Sequence, residues 1–438
     1  MTFEEDRPGP QPDAPAPLSG YRILDFTERM QGPLGTQILG DLGAEVIKVE
    51  RPTVLTPEGR PVPRYQISRA EDGRYGLDFY GAAFLALNRN KKSIAVDLKT
   101  ETGLEVARRL VRVCDVVYEN FRPGVMDRLG LGYAACAALN PSIVYASASG
   151  YGPDGPYAGR PGQDVLAQAI AGMGALNALP GGRPLAVGIP IADILGGMNG
   201  ALAVLAALLH RDRTGEGQHV QVNLLDSIMA AQAEEAFLFL NAAAREPERE
   251  TEMHAHPYLP PPYGLYATRD GYLALSSGQD LPALSRILGI DDLSGDPRFA
   301  TAAARDRHRV EFEQLLEGAL ATRTTDEWLQ LMTPENIYAA PVNGLGAALA
   351  DPQVAHNDMV VTAESPVGPM RMVAPPFRFS RTPVGVRSAA PLHGEHSEEM
   401  LRLAGFSEDE VGRIMASGAV VGAGPVTRQD GGDSQRCP

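Results

Sequence analysis

Apolar and polar residues alternate along the first third of the chain so as to predict strands and helices by turns. Residues 21–25 (YRILD) form a short apolar run. Gly32 and Pro33 interrupt the chain, and residues 35–42 predict a helix that stops at Gly43, a residue suited to a left-handed cap. Residues 45–49 (EVIKV) read as the next strand. Strand, helix and strand within about 30 residues make a βαβ unit, which requires a parallel sheet. The pattern recurs as strand 93–98, helix 100–113, strand 115–118, helix 133–139 and strand 143–148. It predicts an α/β fold with a large, doubly wound, open-sheet (Rossmann-like) domain.

Two Ala/Gly-rich helices follow at 164–176 and 193–210, where small side chains allow close packing. A polar turn (RDRTGEGQ, 211–218), a strand at 219–222 and a helix at 224–241 complete this part. Residues 242–262 are polar, then Pro-rich, and read as a connector. Apolar runs at 263–267 and 272–275 straddle Arg269-Asp270-Gly271, a hairpin signal that opens a smaller α+β domain. Helices are expected to about residue 334, and alternating segments near 340–380 predict strands that return to the main sheet. The expected division is a tail at 1–17, a discontinuous large domain at 18–241 and 335–418, the connector, a small domain at 263–334, and a Gly-rich tail at 419–438.

Composition narrows the function. The 438 residues carry a formal charge of −15, with 44% hydrophobic and 21% charged residues. That balance suits a globular protein with an ample core and disfavours nucleic-acid binding, which wants a basic surface. Cys114, Cys136 and Cys437 are too few and too scattered for a disulfide framework or a Cys-rich metal site. The apolar run 200–209 is too short for a membrane span, and the acidic, Pro-rich start is no secretory signal. A cytoplasmic location without membrane attachment is the expectation. No GxxxxGK, HExxH or GxSxG motif occurs, and HGEH (393–396) lacks the spacing of a zinc-binding helix. The lysines number four, Lys48, Lys91, Lys92 and Lys99, all in one early segment. They suggest a phosphate-binding patch.

Ordered motifs then resemble one family. They are PLSGYRILDFTERMQGPLGTQILGDLGAEVIKVERP (17–52), LNRNKKSIAVDLKTETG (87–103), VVYENFRPGVMDRLGLGY (116–133), GYGPDGPYAGRPGQDVLAQAIAG (150–172), VGIPIADILGG (187–197) and RTGEGQHVQVNLLDS (213–227). DPRFAT, APVNGL, DPQV and LHGEHSEEML continue the series to about residue 418. Together they resemble the class III CoA-transferase family, which includes formyl-CoA transferase, carnitine CoA-transferase and α-methylacyl-CoA racemase. The resemblance implies ring-shaped subunits interlocked in a homodimer, or a heteromer with a related chain. It implies a CoA thioester as substrate, with no permanently bound cofactor and no metal. It places Arg51, Lys91, Lys92, Asn120, Phe121 and Arg128 near the CoA nucleotide, whose phosphates need cations and whose ring needs apolar surface.

The catalytic positions depart from the family pattern. Family transferases use an aspartate that attacks the thioester, forms a mixed anhydride and then carries CoA as an enzyme thioester. Counting back from Asp193 puts Gly181 at that position. Racemases use a Gly-His-Asp motif, which here reads Gly162-Gln163-Asp164, and an amide does not exchange protons usefully near neutral pH. Asp164, Asp193, Tyr151 and, by a looser alignment, Asp280 remain as candidates beside Gln163, although Asp164 and Asp193 also suit helix caps. Three readings stand: CoA transfer with a differently supplied nucleophile, α-proton transfer on an acyl-CoA (racemase, isomerase or lyase), and a silent subunit of a heteromeric transferase.

Overall fold

The computed structural model describes residues 14–52, 68–69, 75–76, 79–242, 247–276, 280–365 and 368–423. Most of the expected N-terminal tail, residues 424–438 of the C-terminal one, and most of residues 53–78 lie outside the described residues. The chain divides into two units. The first comprises Met1–Ala167, Pro190–Ile228 and Gln353–Pro438, and the second comprises Gln168–Ile189 and Met229–Pro352.

The first unit is a mixed α/β structure around a mostly parallel sheet. In chain order its elements include β1 (Arg22–Asp25), α1 (Gln31–Asp41), β2 (Glu45–Glu50), β3 (Lys91–Val96), α2 (Glu101–Val113), β4 (Val116–Glu119), β5 (Val144–Ser149), α3 (Ile191–Thr214), β6 (His219–Asn223) and β7 (Val420–Val421). Among the described residues the sheet has seven strands in the order β7-β3-β2-β1-β4-β5-β6. Strands β1 to β6 are parallel, and β7 runs antiparallel to β3. The strand order therefore reverses between β1 and β4.

Side chains one residue apart on a strand face opposite ways, and here both faces are apolar. Ile23, Val46, Val116 and Val144 pack with Leu39 of α1 and Val204, Ala207 and Leu208 of α3. Leu24, Ile47, Val117 and Tyr145 pack with Val106, Leu110 and Val111 of α2 and with Met400, Leu401, Val411 and Ile414. The last four come from helices Ser397–Leu403 and Glu408–Ser417. Thr100 starts α2 by accepting a hydrogen bond from Gly103 N at 3.0 Å, the usual N-cap arrangement.

Helix α3 is, by length and composition, apolar enough to cross a bilayer. Its small residues instead lie against α1 and the sheet. A Cβ on Gly200 would sit 1.7 Å from the Tyr118 hydroxyl, and one on Gly197 would sit 2.7 Å from the Gln31 carbonyl. Glycine is thus required here by backbone approach, not by torsion.

Several expectations are corrected. The segments near 340–380 do not return to the main sheet. Ala339–Pro341 joins the three-stranded sheet of the second unit, and Val360–Ala363 pairs with Met370–Val373 in a separate hairpin. The strand that does return is β7, inside the stretch expected to be a tail. Two residues are too few to show a period in sequence. The expected helices 164–176 and 224–241 are each broken, at Ala171-Gly172 and at Gln232. The polar turn at 211–218 begins late, because α3 continues to Thr214.

In the second unit the Arg269-Asp270-Gly271 turn joins Gly264–Ala267 to Tyr272–Leu275, and Thr268 N donates to Gly271 O at 2.9 Å. Tyr266, Leu273, Leu284, Phe312, Leu316 and Trp328 form its core.

The Tyr118 hydroxyl is buried and has no hydrogen-bond partner among the described residues. Gly200→Ala should therefore cost about 1–3 kcal/mol by overpacking, read from urea unfolding. Tyr118→Phe should be near neutral alone and should recover part of that loss in the double variant. Strict additivity of the two changes would contradict the clash.

Candidate active site

In open parallel sheets, ligands lodge outside the carboxyl ends of the strands where the strand order reverses. Here that place lies between the loops after β1 and β4. Asp25, the last residue of β1, is fully buried. Its Oδ1 accepts from Thr27 N at 2.8 Å and Thr27 Oγ1 at 2.5 Å, and its Oδ2 accepts from Thr36 Oγ1 at 2.7 Å and Lys91 Nζ at 3.0 Å. Burial alone would raise its proton affinity, but Lys48, Lys91 and the two threonine hydroxyls outweigh it and hold the carboxyl down to about 2. Lys48 Nζ also donates to Thr27 O at 2.7 Å. The loop after β1 is thereby fixed from beneath.

Its upper side is tied to the β4 loop. Asn120 Oδ1 accepts from Glu28 N at 2.7 Å, and Asn120 Nδ2 donates to Glu28 O at 2.8 Å. Arg51, just past β2, sits on the same end with its guanidinium 3.1 Å from Glu28 and its side chain 68% exposed. His393 Nε2 bonds the Arg51 carbonyl at 2.7 Å, and Ser93 N donates to His396 Nδ1 at 3.2 Å. The HGEH segment thus ties the residue after β2 to the interior of β3. Phe121 is half-buried, and Arg128 is exposed at the end of the short helix Val125–Arg128. A cavity of about 310 Å³ opens beside this loop, lined among others by Glu119, Phe121, Arg122, Tyr133, Ser147 and His219.

Arg51, Asn120, Phe121 and Arg128 therefore share the carboxyl end. Lys91 and Lys92 do not, because they begin β3 at its amino end, level with Val46 and Ile47. The ammonium of Lys91 is fully enclosed and donates to Asp25, Pro33 O, Thr36 and Asn88 at 2.7–3.0 Å. Burial lowers its proton affinity to about 8 against the pull of Asp25. No phosphate can reach it. Lys92 lies 2.6 Å from Glu45 and 2.7 Å from Glu399. Alternation along β3 sends these neighbouring lysines to opposite faces, so Lys91 is enclosed and belongs to no shared patch, whereas Lys92 stays partly exposed.

The candidate carboxylates form a relay of helix caps. Asp164 Oδ1 accepts from Ala192 N at 2.6 Å and Asp193 N at 3.3 Å, in the first turn of α3. Asp193 in turn accepts a hydrogen bond from Gln31 N at the start of α1. Burial, then the neighbouring Asp164 charge, raises the Asp193 carboxyl to about 6. Gln163 is exposed, and its carbonyl accepts from Leu166 N and Ala167 N. Tyr151 is half-buried and edge-on to Tyr157 at 5.7 Å. The loops carrying Tyr151 and Gln163 touch through glycines, since a Cβ on Gly150 would lie 2.5 Å from the Gly162 Cα. Asp280, in the second unit, caps helix Leu281–Leu288 by accepting from Ala283 N at 3.0 Å. Gly181, also in the second unit, is exposed with φ +65° and offers no functional group.

Sequence reasoning missed Asp25, Gln31, Glu119, Ser147 and His219. An acid closing the apolar run RILD was a usable signal for Asp25. Gln31, Ser147 and His219 have partners far away in sequence, and the Glu119 bond to Phe121 N leaves no sequence signature.

Two consequences are measurable. Lys91→Ala should cost about 3–5 kcal/mol, because it strands a buried carboxylate, whereas Lys92→Ala, on a screened surface pair, should cost within about 1 kcal/mol. Urea unfolding of the two variants distinguishes the roles. A raised carboxyl binds its proton more tightly in the folded state, so the stability it lends is complete below the ordinary value of 3.8 and lost as pH rises through about 6. Asp193→Asn should remove that slope, worth up to about 3 kcal/mol across those two pH units. An unchanged pH profile of unfolding would refute it.

Comparison with known proteins places this architecture. The model of CoA-transferase family III matches residues 18–397. The succinyl-CoA:glutarate CoA-transferase of Mus musculus is 34% identical over 422 residues, covering 94% of this chain and 92% of that one. The formyl-CoA:oxalate CoA-transferase of Streptomyces avermitilis is 32% identical over 433 residues, covering 92% and 99%. The crystal structure of a CaiB/BaiF family protein from Brucella suis superposes with a TM-score of 0.76 at 34% identity, covering 89% of this chain and 100% of that one. With a family match over most of its length and relatives that transfer CoA between acids, the chain belongs to CoA-transferase family III.

Proposed function

We propose that this protein moves coenzyme A from an acyl-CoA donor to a carboxylic acid acceptor, with the CoA ester held at the strand-order reversal by Arg51, Asn120, Phe121 and Arg128. The observation that carries the reading is the exposed Arg51 guanidinium beside two loops locked together by Asn120 and Glu28. A preorganised anion site at the carboxyl ends of parallel strands suits a nucleotide with several phosphates. The names of the relatives support carboxylic acids as acceptors. Lys91 and Lys92 are left out of the ligand set.

In this chemistry a carboxylate of the enzyme attacks the thioester carbon and expels CoA thiolate, giving a mixed anhydride. The thiolate then attacks the enzyme's own acyl carbon, releases the donor acid and leaves an enzyme thioester, from which the acceptor takes CoA by the reverse sequence. Gly181 has no carboxylate to offer. Asp164 commits an oxygen to the first turn of α3, which leaves Asp193 as the second acid of that cluster. The reading includes assembly with a second copy, interlocked as the resemblance implies. The exposed Met198, Leu202 and Leu209 of α3 support it, since apolar positions left open on a long helix favour association.

The test uses the full chain with succinyl-CoA as donor and glutarate or oxalate as acceptor. Transfer should be detectable, and Arg51→Ala should raise KM for the CoA ester about tenfold or more, as expected for a lost charge-assisted contact. Hydroxylamine quenching followed by peptide mass mapping should mark one aspartate. Light scattering should give the mass of two chains. No transfer, no marked carboxylate and no heat with free coenzyme A would together sink the reading in favour of a silent subunit.

A further inference from the structure

Beneath the 310 Å³ cavity, the loop at residues 120–124 rests on a chain of hydrogen bonds that the transfer chemistry does not use. Glu119 ends β4 and is almost buried. Its Oε2 accepts from Phe121 N at 2.9 Å. Ser147 is its register partner on β5, and its hydroxyl bonds the same carboxylate. One strand further, His219 Nε2 lies 2.9 Å from Ser147 Oγ. The imidazole is stacked on Tyr133 at 5.1 Å and meets Tyr145 edge-on at 5.3 Å, so the ring has little freedom to turn.

The polarity of this chain follows from what each group can do. An ionised carboxylate accepts only, so the Ser147 hydroxyl donates to Glu119. Ser147 Oγ must then accept from His219, which fixes the proton of the neutral ring on Nε2. Burial favours that neutral form of His219. With its proton committed to Glu119 and its oxygen facing a donor, Ser147 is no activated nucleophile. The chain runs from His219 through Ser147 to Glu119, where Phe121 N donates from the other side. The arrangement depends on Glu119 being charged.

We propose that Glu119 is a positioning residue, whose ionised carboxylate, oriented by Ser147 and His219, fixes Phe121 and the loop through Gly124 for the CoA ester, so that affinity for coenzyme A falls when Glu119 takes up a proton. This rests on the reading that CoA lies at the strand-order reversal. Other ionisable groups facing the carboxylate are Asp127 of the short helix, Arg122 on the cavity rim, and Tyr133 and Tyr145 on the wall. Burial pushes the Glu119 carboxyl up, the bonds from Ser147 and Phe121 pull it down, and the Asp127 charge pushes it up again, with a net rise. Affinity is therefore complete above the raised value and lost as pH falls through it.

The experiment is calorimetry of free coenzyme A with the full-length protein over about pH 5 to 8. Wild type should show an acid limb of weakening affinity. Glu119→Gln, which keeps the shape but not the charge, should bind about tenfold more weakly at high pH and show a shallower limb than wild type, limited to the titration of the ligand's own phosphate. Ser147→Ala removes a bond that lowers the carboxyl, so its limb should move to higher pH. In turnover, the loss should appear in KM for the CoA ester and not in kcat. Wild-type affinity and an intact limb in Glu119→Gln overturn the proposal. Should that variant fail to fold, an unmoved limb in Ser147→Ala overturns it instead. Absence of heat with wild type overturns the CoA reading itself, whereas a response to Arg51→Ala alone leaves that reading standing and removes only this one.

Discussion

The buried carboxylate of Asp25 is the constraint on which the rest depends. A charge removed from water is tolerated when opposite charge and hydrogen-bond donors surround it. Here those groups come from the loop after its own strand, from α1, from β2 and from β3. Satisfying one oxygen pair thus fixes four elements relative to one another. The loop to which Glu28 belongs is held from below by this cluster and from the side by Asn120, so the surface offered at the strand ends is set before any ligand arrives. Preorganisation of this kind lowers the ordering cost of binding.

A second constraint is geometric. Helices α1 and α3 approach so closely that the sheet side chain between them, Tyr118, occupies space a Cβ would need. The same approach lets Asp193 on α3 reach the first N–H of α1 while Asp164 serves the first turn of α3. Anionic groups at helix starts satisfy unpaired donors and match the positive end of the helix dipole. The acids that looked catalytic from their motifs thus also serve the starts of two helices, and burial beside the Asp164 charge raises the proton affinity of Asp193.

Strand identity was legible where apolar runs alternate with amphipathic segments: 21–25, 45–49 and 115–118 lie within a residue or two of β1, β2 and β4. The βαβ logic carried over to the parallel order of the central strands. What local pattern could not give was the partner of each polar side chain. Lys91 and Lys92 are neighbours in sequence and look alike, yet the acid that claims Lys91 lies 66 residues earlier. The alternation near 340–380 signalled strands, but nothing in that stretch says that Val360–Ala363 pairs with Met370–Val373 and not with the main sheet. Glu119 and Ser147 come together because β4 and β5 pair them in register, and His219, level with Tyr145 on the next strand, reaches Ser147 with its ring. The carboxyl-end residues Arg51, Asn120, Phe121 and Arg128 were reachable through their motifs, since those motifs are contiguous.

The pairing of Val420 with Val96 carries a consequence for biogenesis. Until the last helices and that short strand have been synthesised, the flank of Lys91–Val96 has no cover, and its amides stand open to any other extended chain. At ordinary ribosomal rates the delay is on the order of half a minute. Such remote closure also slows collapse to the final topology. During translation this border is therefore the part of the sheet that stays open longest to pairing with another extended chain.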